Sequence, residues 1–598
     1  MAANRKGTLT ILSLLAFYCV SYVVLTYPLI VRFGSCFIGD KSDACIFVWN
    51  VYNFTDSVHR GINPFFTDKI FYPFGTSLVF HVYAPLYGIA GLLVGNYMLA
   101  LNVTSFAAFV FSGLGAYLLC NHYVKNGLLS ALAGFVFAYC PYKLVHLYGH
   151  YDLILTAAIP FFILFFVRSF AQTGSQRLPK LTHRRSLIAA LGFFCLALVS
   201  CYYYAFFLLV FAVLYFIYWG ARVYDLRLSR KQVLRYGLIA IVASTATVNF
   251  FKLIHLDKHS VATNGLAGSS DMLAFLVPSA SSKFLGSPLT HYIKFHIFRV
   301  NAVETTVYIG YTVLVFAVAY FATRQYRTEK PEIKMLSYLV ACFLVLAMPM
   351  VRILNQTLFA LPSALLHYIP FINNFRAPYR YSIMIMLFLP ILSGLFIKRC
   401  VLGRLPARLR SVFVSGLILL LFAEYAQKDY PMVCSSEVPR VYHQLAAMED
   451  GVLLEIPFGL RDGFHDIGDE RTVQMYYQTV HHKKILAGLV SRPDRRLFER
   501  FKREPVVSDL IKMEDDPKWT PATPDREDVT HFLRTFQVRY VLIHPEYRDG
   551  RIEEMVQEVF SDYVIQRSEV DRFNLLTLAQ DPPGARESYP RTQLLPAQ

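Results

Sequence analysis

The sequence predicts a polytopic α-helical membrane protein, with about 11 transmembrane helices plus a re-entrant or half helix and a C-terminal extracytoplasmic α/β domain. Three observations predict it. Of 598 residues, 55% are hydrophobic and 17% charged, where a soluble domain carries about 45–50% and about 25%. Apolar runs long enough to cross a bilayer recur through the first 427 residues and then stop. Charge divides at the same place: from Lys428 onward there are 23 Lys and Arg against 29 Asp and Glu, and the residues before it hold 35 against 12. A disordered chain and a single soluble domain are both excluded. The net charge of +17 sits wholly in the membrane part, so it is not the basic patch of a nucleic-acid-binding domain.

The spans fall near 8–30, 100–121, 127–142, 152–170, 186–202, 204–220, 236–255, 306–323, 335–351, 380–397 and 411–426. The stretch 84–98 is apolar but short, and reads as half-inserted. With it not crossing, every basic loop falls on one side: Arg5 and Lys6, Lys125, Arg177 to Arg185, Arg222 to Arg235, Arg324 to Lys334, and Lys398 to Arg410. The positive-inside rule then puts the N-terminus in the cytoplasm and the C-terminal domain outside. The first span lacks a small-residue cleavage site and reads as an anchor. The outer loops of this 1–427 domain are 31–83, 143–151, 256–305 and 352–379. The first and third, about 50 residues each, exceed simple connections.

Residues 428–580 alternate helical and strand-like patterns. Helices are predicted at 439–450, 470–480, 528–536 and 552–560, and strands at 452–457, 484–490, 538–544, 563–570 and 573–579, a small α/β domain. It carries no Gly-rich phosphate loop. The Pro-rich tail 581–598 reads as disordered.

Twelve acids in the membrane part are few enough to place. Eight lie in outer segments: Asp40, Asp43, Asp56, Asp68, Asp152, Asp257, Asp271 and Glu304. A carboxylate beside apolar surroundings is costly unless it is paired or used, so acids gathered on one face suggest an extracytoplasmic site, although loops are also where charge is tolerated. The first outer loop is the most informative. Asp40 and Asp43 follow the first span directly, and the residues after them, with Trp49, Tyr52 and Phe54, have the periodicity of a helix lying in the interface. The turns Gly61-Ile62-Asn63-Pro64-Phe65 and Tyr72-Pro73-Phe74-Gly75 follow.

This loop resembles the first outer loop of the GT-C superfamily, multispan glycosyltransferases that use polyprenyl-phosphate-linked sugars. The resemblance rests on the Asp40/Asp43 pair, the Trp six residues after Asp43, and the GINPF and YPFG turns. The closest likeness is to a poorly characterised bacterial branch with an extracytoplasmic α/β tail. Further matches are Asp271 with Pro278-Ser279, Glu304 with Gly310, Arg376-Ala377-Pro378-Tyr379-Arg380, Glu455-Ile456-Pro457, Tyr476, Gln478, His481, Gly488 and Arg492. It implies an enzyme of the bacterial inner membrane that transfers a sugar from a polyprenyl-phosphate-sugar donor to a cell-envelope glycan, lipid or protein, by inverting displacement.

In that superfamily an Asp of the first outer loop is the catalytic base or orients the acceptor. Asp43 matches best by its spacing to Trp49, with Asp40 second; Asp152 and Glu304 stand as further candidates. Lys41 lies between the two acids, where pairing with one would lower its basicity. Arg376 and Arg380, four apart at an outer membrane edge, have the planar fork that matches phosphate oxygens; anchoring to lipid head groups is the blander reading. His150, Asp152, Glu304, Trp49, Tyr476, Gln478 and His481 complete the substrate-binding candidates. His146 and His150 have ligand-like spacing if helical, and with Asp40 or Asp43 they form the candidate set for a divalent cation such as Mg or Mn; hydrogen bonding to substrate hydroxyls is the alternative. His544, a lone histidine at a strand end, reads as structural. Cys36 and Cys45 flank the two acids, and a disulfide between them would clamp the pair on an oxidising side.

Two other functions compete with the transferase. A transporter or flippase for a lipid-linked glycan calls for polar residues midway through spans, and here those regions are nearly free of carboxylates. A non-catalytic scaffold of envelope assembly would tolerate replacement of the acids.

Overall fold

The computed structural model describes residues 2–171, 178–224, 229–253, 266, 268–298, 306–369, 372, 375, 377–428, 430–494, 496–516, 518–521 and 525–579. Glu304, Arg376, Asp257 and the tail 581–598 lie outside the described residues. The chain divides into two compact units. One is Met1–Arg32 with Val103–Pro431, the other Phe33–Asn102 with Met432–Gln598. Hydropathy alone cuts the chain near 427; the contacts add a cut that groups the first outer loop with the C-terminal residues.

Among the described residues six helices are long and apolar enough to cross a membrane: Thr8–Leu25, Tyr97–Val124, Gly127–His146, Tyr202–Val223, Lys231–Phe250 and Pro378–Leu402. The other five expected spans coincide with helices Ala158–Ser169, Arg184–Ser200, Tyr311–Ala322, Pro331–Ala347 and Ala407–Tyr425, of 12 to 19 residues. The stretch expected to half-insert contains the helix Pro85–Val94, of 10 residues. At 1.5 Å per residue it is about 15 Å long, half the hydrocarbon thickness of about 30 Å.

The first unit is built around the helix Ser382–Phe396, in which every residue from Ser382 to Leu395 is buried. A helix apolar on all faces belongs at the centre of a bundle. Helices Gly127–Tyr139, Tyr311–Ala322 and Pro331–Ala347 pack against it. Two of this unit's few acids have evident structural work. Glu424 accepts from Tyr308 Oη at 2.6 Å and from the backbone N–H groups of Tyr311 and Thr312, at the N-terminus of Tyr311–Ala322, where the helix dipole favours a carboxylate. Glu329 accepts from Tyr320 Oη at 2.6 Å and pairs with Arg399.

The second unit holds a five-stranded sheet in the order Lys484–Ile485, Val452–Ile456, Val538–Ile543, Phe573–Leu578, Val564–Val570. Its first three strands are parallel and the last two join antiparallel. A three-stranded sheet places Gly459–Arg461 between Asp466–Gly468 and Gly488–Leu489. The strand expected over 484–490 is thus two short strands in different sheets. Cys36–Ile38 pairs antiparallel with Met432–Cys434, with Cys36 opposite Cys434.

The helix Asp43–His59 differs from the interfacial helix expected. Residues Ala44 to Asn53 are all buried, between the helices Pro85–Val94 and Val473–His481. An interfacial helix calls for a wet polar face, but its polar residues have internal partners: Asn50 donates to Val82 O at 3.0 Å, Asn53 donates to Tyr83 Oη at 2.8 Å, and Thr55 donates to Val51 O at 2.9 Å. A Cβ on Gly88 would collide with Phe54, so glycine is what lets Pro85–Val94 approach.

Candidate functional site

The first-loop acids are differently placed. Asp40 is exposed and closes its own turn, accepting from the backbone N–H of Ser42 at 3.1 Å and from the Ser42 hydroxyl. This Asx-type bonding stabilises the turn that starts the helix. Asp43 opens Asp43–His59, and its side chain is 37% exposed. Arg461 Nη1 donates to Asp43 Oδ1 at 3.4 Å. Lys41 pairs with Glu437 at 3.2 Å, so the lysine between the acids has a partner elsewhere.

Arg461 also lies 3.9 Å from Glu470 Oε2. The Glu470 side chain is only 4% exposed, and Thr472 Oγ1 donates to its Oε2 at 3.1 Å. Burial pushes its carboxyl up to about 7, with Arg461 pulling the other way. Gly459 sets this approach, because a Cβ there would collide with the Glu470 backbone. Arg461 and Glu470 were not legible as site residues: they lie more than 400 positions from Asp43, and no spacing motif links them.

Four residues expected to bind substrate are packing residues of the second unit. Trp49 is fully buried, and its indole N–H donates to Gln478 Oε1 at 2.6 Å. Gln478 Nε2 donates to the carbonyls of Lys69 at 2.6 Å and Lys483 at 2.9 Å. Both ends of the amide are therefore used inside. Tyr476 is buried edge-on to Phe37. His481 Nδ1 accepts from Lys483 N–H at 3.0 Å, and burial holds its ring down at about 3.

The disulfide joins Cys36 to Cys434, not Cys36 to Cys45. Cys45 is a buried free thiol, one turn into the helix. The ladder register puts Cys434 directly across from Cys36, a pairing that local spacing conceals.

In the first unit the structure brings together His146, His150, Asp152 and Arg380. The helix Pro141–His146 ends at His146, and the rings of His146 and His150 meet edge to face with centroids 5.5 Å apart. Asp152 is 5% exposed and accepts from the Cys201 thiol at 3.5 Å. Burial raises the Asp152 carboxyl, opposed first by the charge of Arg380, and burial together with Arg380 holds His150 down at about 3. Arg380 is 7% exposed, and its guanidinium stacks on the Tyr203 ring at 4.5 Å. It is a buried cation beside an acid, where a position at an outer membrane edge was expected. Among the described residues no group of three or more His, Cys, Asp or Glu is placed to hold a metal ion; of the candidate set, Asp40 and Asp43 belong to one unit and His146 and His150 to the other.

Residues 12–423, more than half of the chain, match the family model described as a domain of unknown function, DUF6311. The chain belongs to that family. No curated protein sequence matches it. Among solved structures, a mutant of the arabinofuranosyltransferase AftD from Mycobacteria is 13% identical over 96% of this chain and 42% of that one, with a TM-score of 0.50. The apo oligosaccharyltransferase of Archaeoglobus fulgidus is 12% identical over 93% of this chain and 72% of that one, with a TM-score of 0.48. AglB of the same organism, in complex with an inhibitory peptide and a dolichol-phosphate, is 11% identical over 96% and 75%, with a TM-score of 0.45. At such identities the likeness is one of fold, and the AftD match carries it. The DUF6311 chain is mostly helical, carries several helices long and apolar enough to cross a membrane, and is similar in fold to the arabinofuranosyltransferase; it spans about two fifths of that protein.

Proposed function

We propose that this DUF6311 protein is an inverting membrane glycosyltransferase that moves a sugar from a polyprenyl-phosphate-linked donor to an extracytoplasmic acceptor, with Asp43 as the base. The observation that carries this reading is the partly exposed Asp43 carboxylate, aimed from the first turn of a buried helix and held by Arg461 at 3.4 Å. A general base must be ionised, fixed in direction and reachable by the hydroxyl it serves. Asp43 takes the proton of the acceptor hydroxyl as that oxygen attacks the anomeric carbon. The bond from that carbon to the phosphate oxygen breaks, and polyprenyl phosphate leaves with the electron pair. The leaving phosphate needs positive charge where its own negative charge develops, the role that the resemblance gives to Arg376 and Arg380, with Glu304 and His150 as candidates for the sugar. Asp152 holds Arg380, and Asp40, Trp49, Gln478, Tyr476 and His481 support the frame.

One feature supports a site outside the cytoplasm. The Cys36–Cys434 disulfide belongs to an oxidising compartment, which agrees with the orientation drawn from the basic loops.

The test is turnover in lipid nanodiscs with radiolabelled polyprenyl-phosphate hexoses and pentoses, an envelope extract as acceptor, and released polyprenyl phosphate as the readout. Asp43→Asn should lose about 10²–10⁴-fold in rate while retaining bound donor, and Asp40→Asn should keep most of its activity. Equal release by wild type and Asp43→Asn would remove Asp43 as the base. Absence of both release and donor binding across the panel would overturn the transferase reading.

A further inference from the structure

Arg461 stands between two carboxylates. Its Nη1 is 3.4 Å from Asp43 Oδ1 and 3.9 Å from Glu470 Oε2. Asp43 and Arg461 are each well over a third exposed, whereas the Glu470 side chain is almost wholly enclosed. One Glu470 oxygen receives the Thr472 hydroxyl; Oε1 is buried with no hydrogen-bond partner among the described residues. A buried carboxylate oxygen left unsatisfied costs more than one at the surface, so a purely structural acid would be better replaced by an amide or an apolar residue.

We propose that Glu470 is the positioning residue of the first-loop site: by sharing Arg461 it sets how much of the guanidinium charge Asp43 holds to itself. With Glu470 protonated, Arg461 answers Asp43 alone and keeps it a weaker base. With Glu470 ionised, the guanidinium is divided between two acids and Asp43 becomes more basic. The other titratable groups acting on Glu470 are Cys45 from the same helix as Asp43 and the neighbouring Asp469, whose backbone N–H donates to Glu514 at 2.9 Å. Asp469 is held by Arg471, through paired bonds of 2.8 and 2.6 Å, and by Tyr547. Burial pushes Glu470 up to about 7, which brings the exchange into the neutral range.

The proposal rests on the transferase reading only for its consequence in turnover; the coupling itself is measurable without substrate. Infrared pH titration of the carboxyl bands would be run on the intact protein in nanodiscs, comparing wild type, Asp43→Asn, Glu470→Gln and Glu470→Asp. The band lost in Asp43→Asn reports Asp43, and the near-neutral band lost in Glu470→Gln reports Glu470. An Asp43 that titrates below Glu470 does so with Glu470 already protonated, so the coupling is read at the Glu470 band: Asp43→Asn, which leaves the guanidinium to Glu470 and removes the repelling charge, should move the Glu470 midpoint down by about one unit, and Glu470→Asp should keep a raised carboxyl band. The same Glu470 midpoint in wild type and Asp43→Asn would overturn the proposal, as would a near-neutral band that survives Glu470→Gln. In turnover of the polyprenyl-phosphate-sugar panel, the wild-type rate should rise through neutral pH and Glu470→Gln should lose that step with little change in KM. A shifted midpoint together with no turnover from any donor would support the Glu470–Asp43 coupling and sink the transferase reading separately.

Discussion

Gln478 separates a packing role from a binding role, because its amide is fully accounted for. An indole N–H can only donate, so the contact with Trp49 fixes the amide oxygen toward the ring and the nitrogen toward the Lys69 and Lys483 carbonyls. Gln478→Leu keeps the volume roughly and removes all three bonds. The Lys69 carbonyl still receives the Ile485 N–H at 2.8 Å, so its loss is small. The Trp49 N–H and the Lys483 carbonyl lose the Gln478 bond within a buried region. At about 1–3 kcal/mol each, less some gain from the apolar replacement, the substitution should cost about 3 kcal/mol. Thermal scans followed by tryptophan fluorescence suit the measurement, since Trp49 is one of only three tryptophans. In a cycle with Trp49→Phe, which deletes the indole N–H, the double variant should be less damaged than the sum of the singles. A Gln478→Leu protein that melts with the wild type yet no longer retains donor would refute this reasoning and return Gln478 to the substrate-facing role.

Two further outcomes follow from the second unit. Peptide mapping without reductant should recover Cys36 joined to Cys434; Cys36→Ser and Cys434→Ser should lower thermal stability alike, and Cys45→Ala should leave the cross-link intact. A Cys36–Cys45 peptide would contradict the ladder register. Burial pushes Glu470 up to about 7 and Glu514 to about 8, from an ordinary 4.5. Carboxyls raised on folding hold their protons more tightly folded than unfolded, so the stability they give is complete below the ordinary value and is lost as pH rises through 7 to 8. Hydrogen exchange over residues 452–470, corrected for its intrinsic pH dependence, should show protection falling between about pH 5 and pH 9; rising protection would defeat the assignment.

Much of the architecture was legible because burial leaves a period in the sequence. The strands Val452–Ile456, Val538–Ile543 and Phe573–Leu578 each lie within the segment that their apolar runs predict. The run from Lys484 to Val490 misled for the same reason: a continuous apolar stretch looks alike whether it feeds one sheet or two, and the chain changes sheets between Ile485 and Gly488. Asp43–His59 misled differently. An interfacial helix calls for a wet polar face, but Asn50, Asn53 and Thr55 donate instead to the loop at Val82 and Tyr83 and to the helix's own carbonyls. Polar residues report the need for a partner, not the presence of water. The contacts that build the site were least legible. Arg461 and Glu470 reach Asp43, and Cys434 reaches Cys36, across about 400 positions of sequence, beyond any local periodicity.

Asp43 and Asp152 were both open as the base, and their surroundings now argue for different work. Asp152 is almost fully enclosed, and burial raises its carboxyl, with the charge of Arg380 the largest opposing influence. An acid this deep loses most of its water on ionising, and what offsets that loss is the cation beside it. Its charge is therefore tied to keeping Arg380 in place over Tyr203. A base serving a hydroxyl from solution must instead give up and regain a proton at each turnover, which requires access and an environment that tolerates both charge states. Asp43 has the access, and the Arg461–Glu470 pair behind it lets the local charge be redistributed, not merely lost, when Asp43 takes a proton. Under the proposed function Asp152 fixes a cation and Asp43 moves a proton.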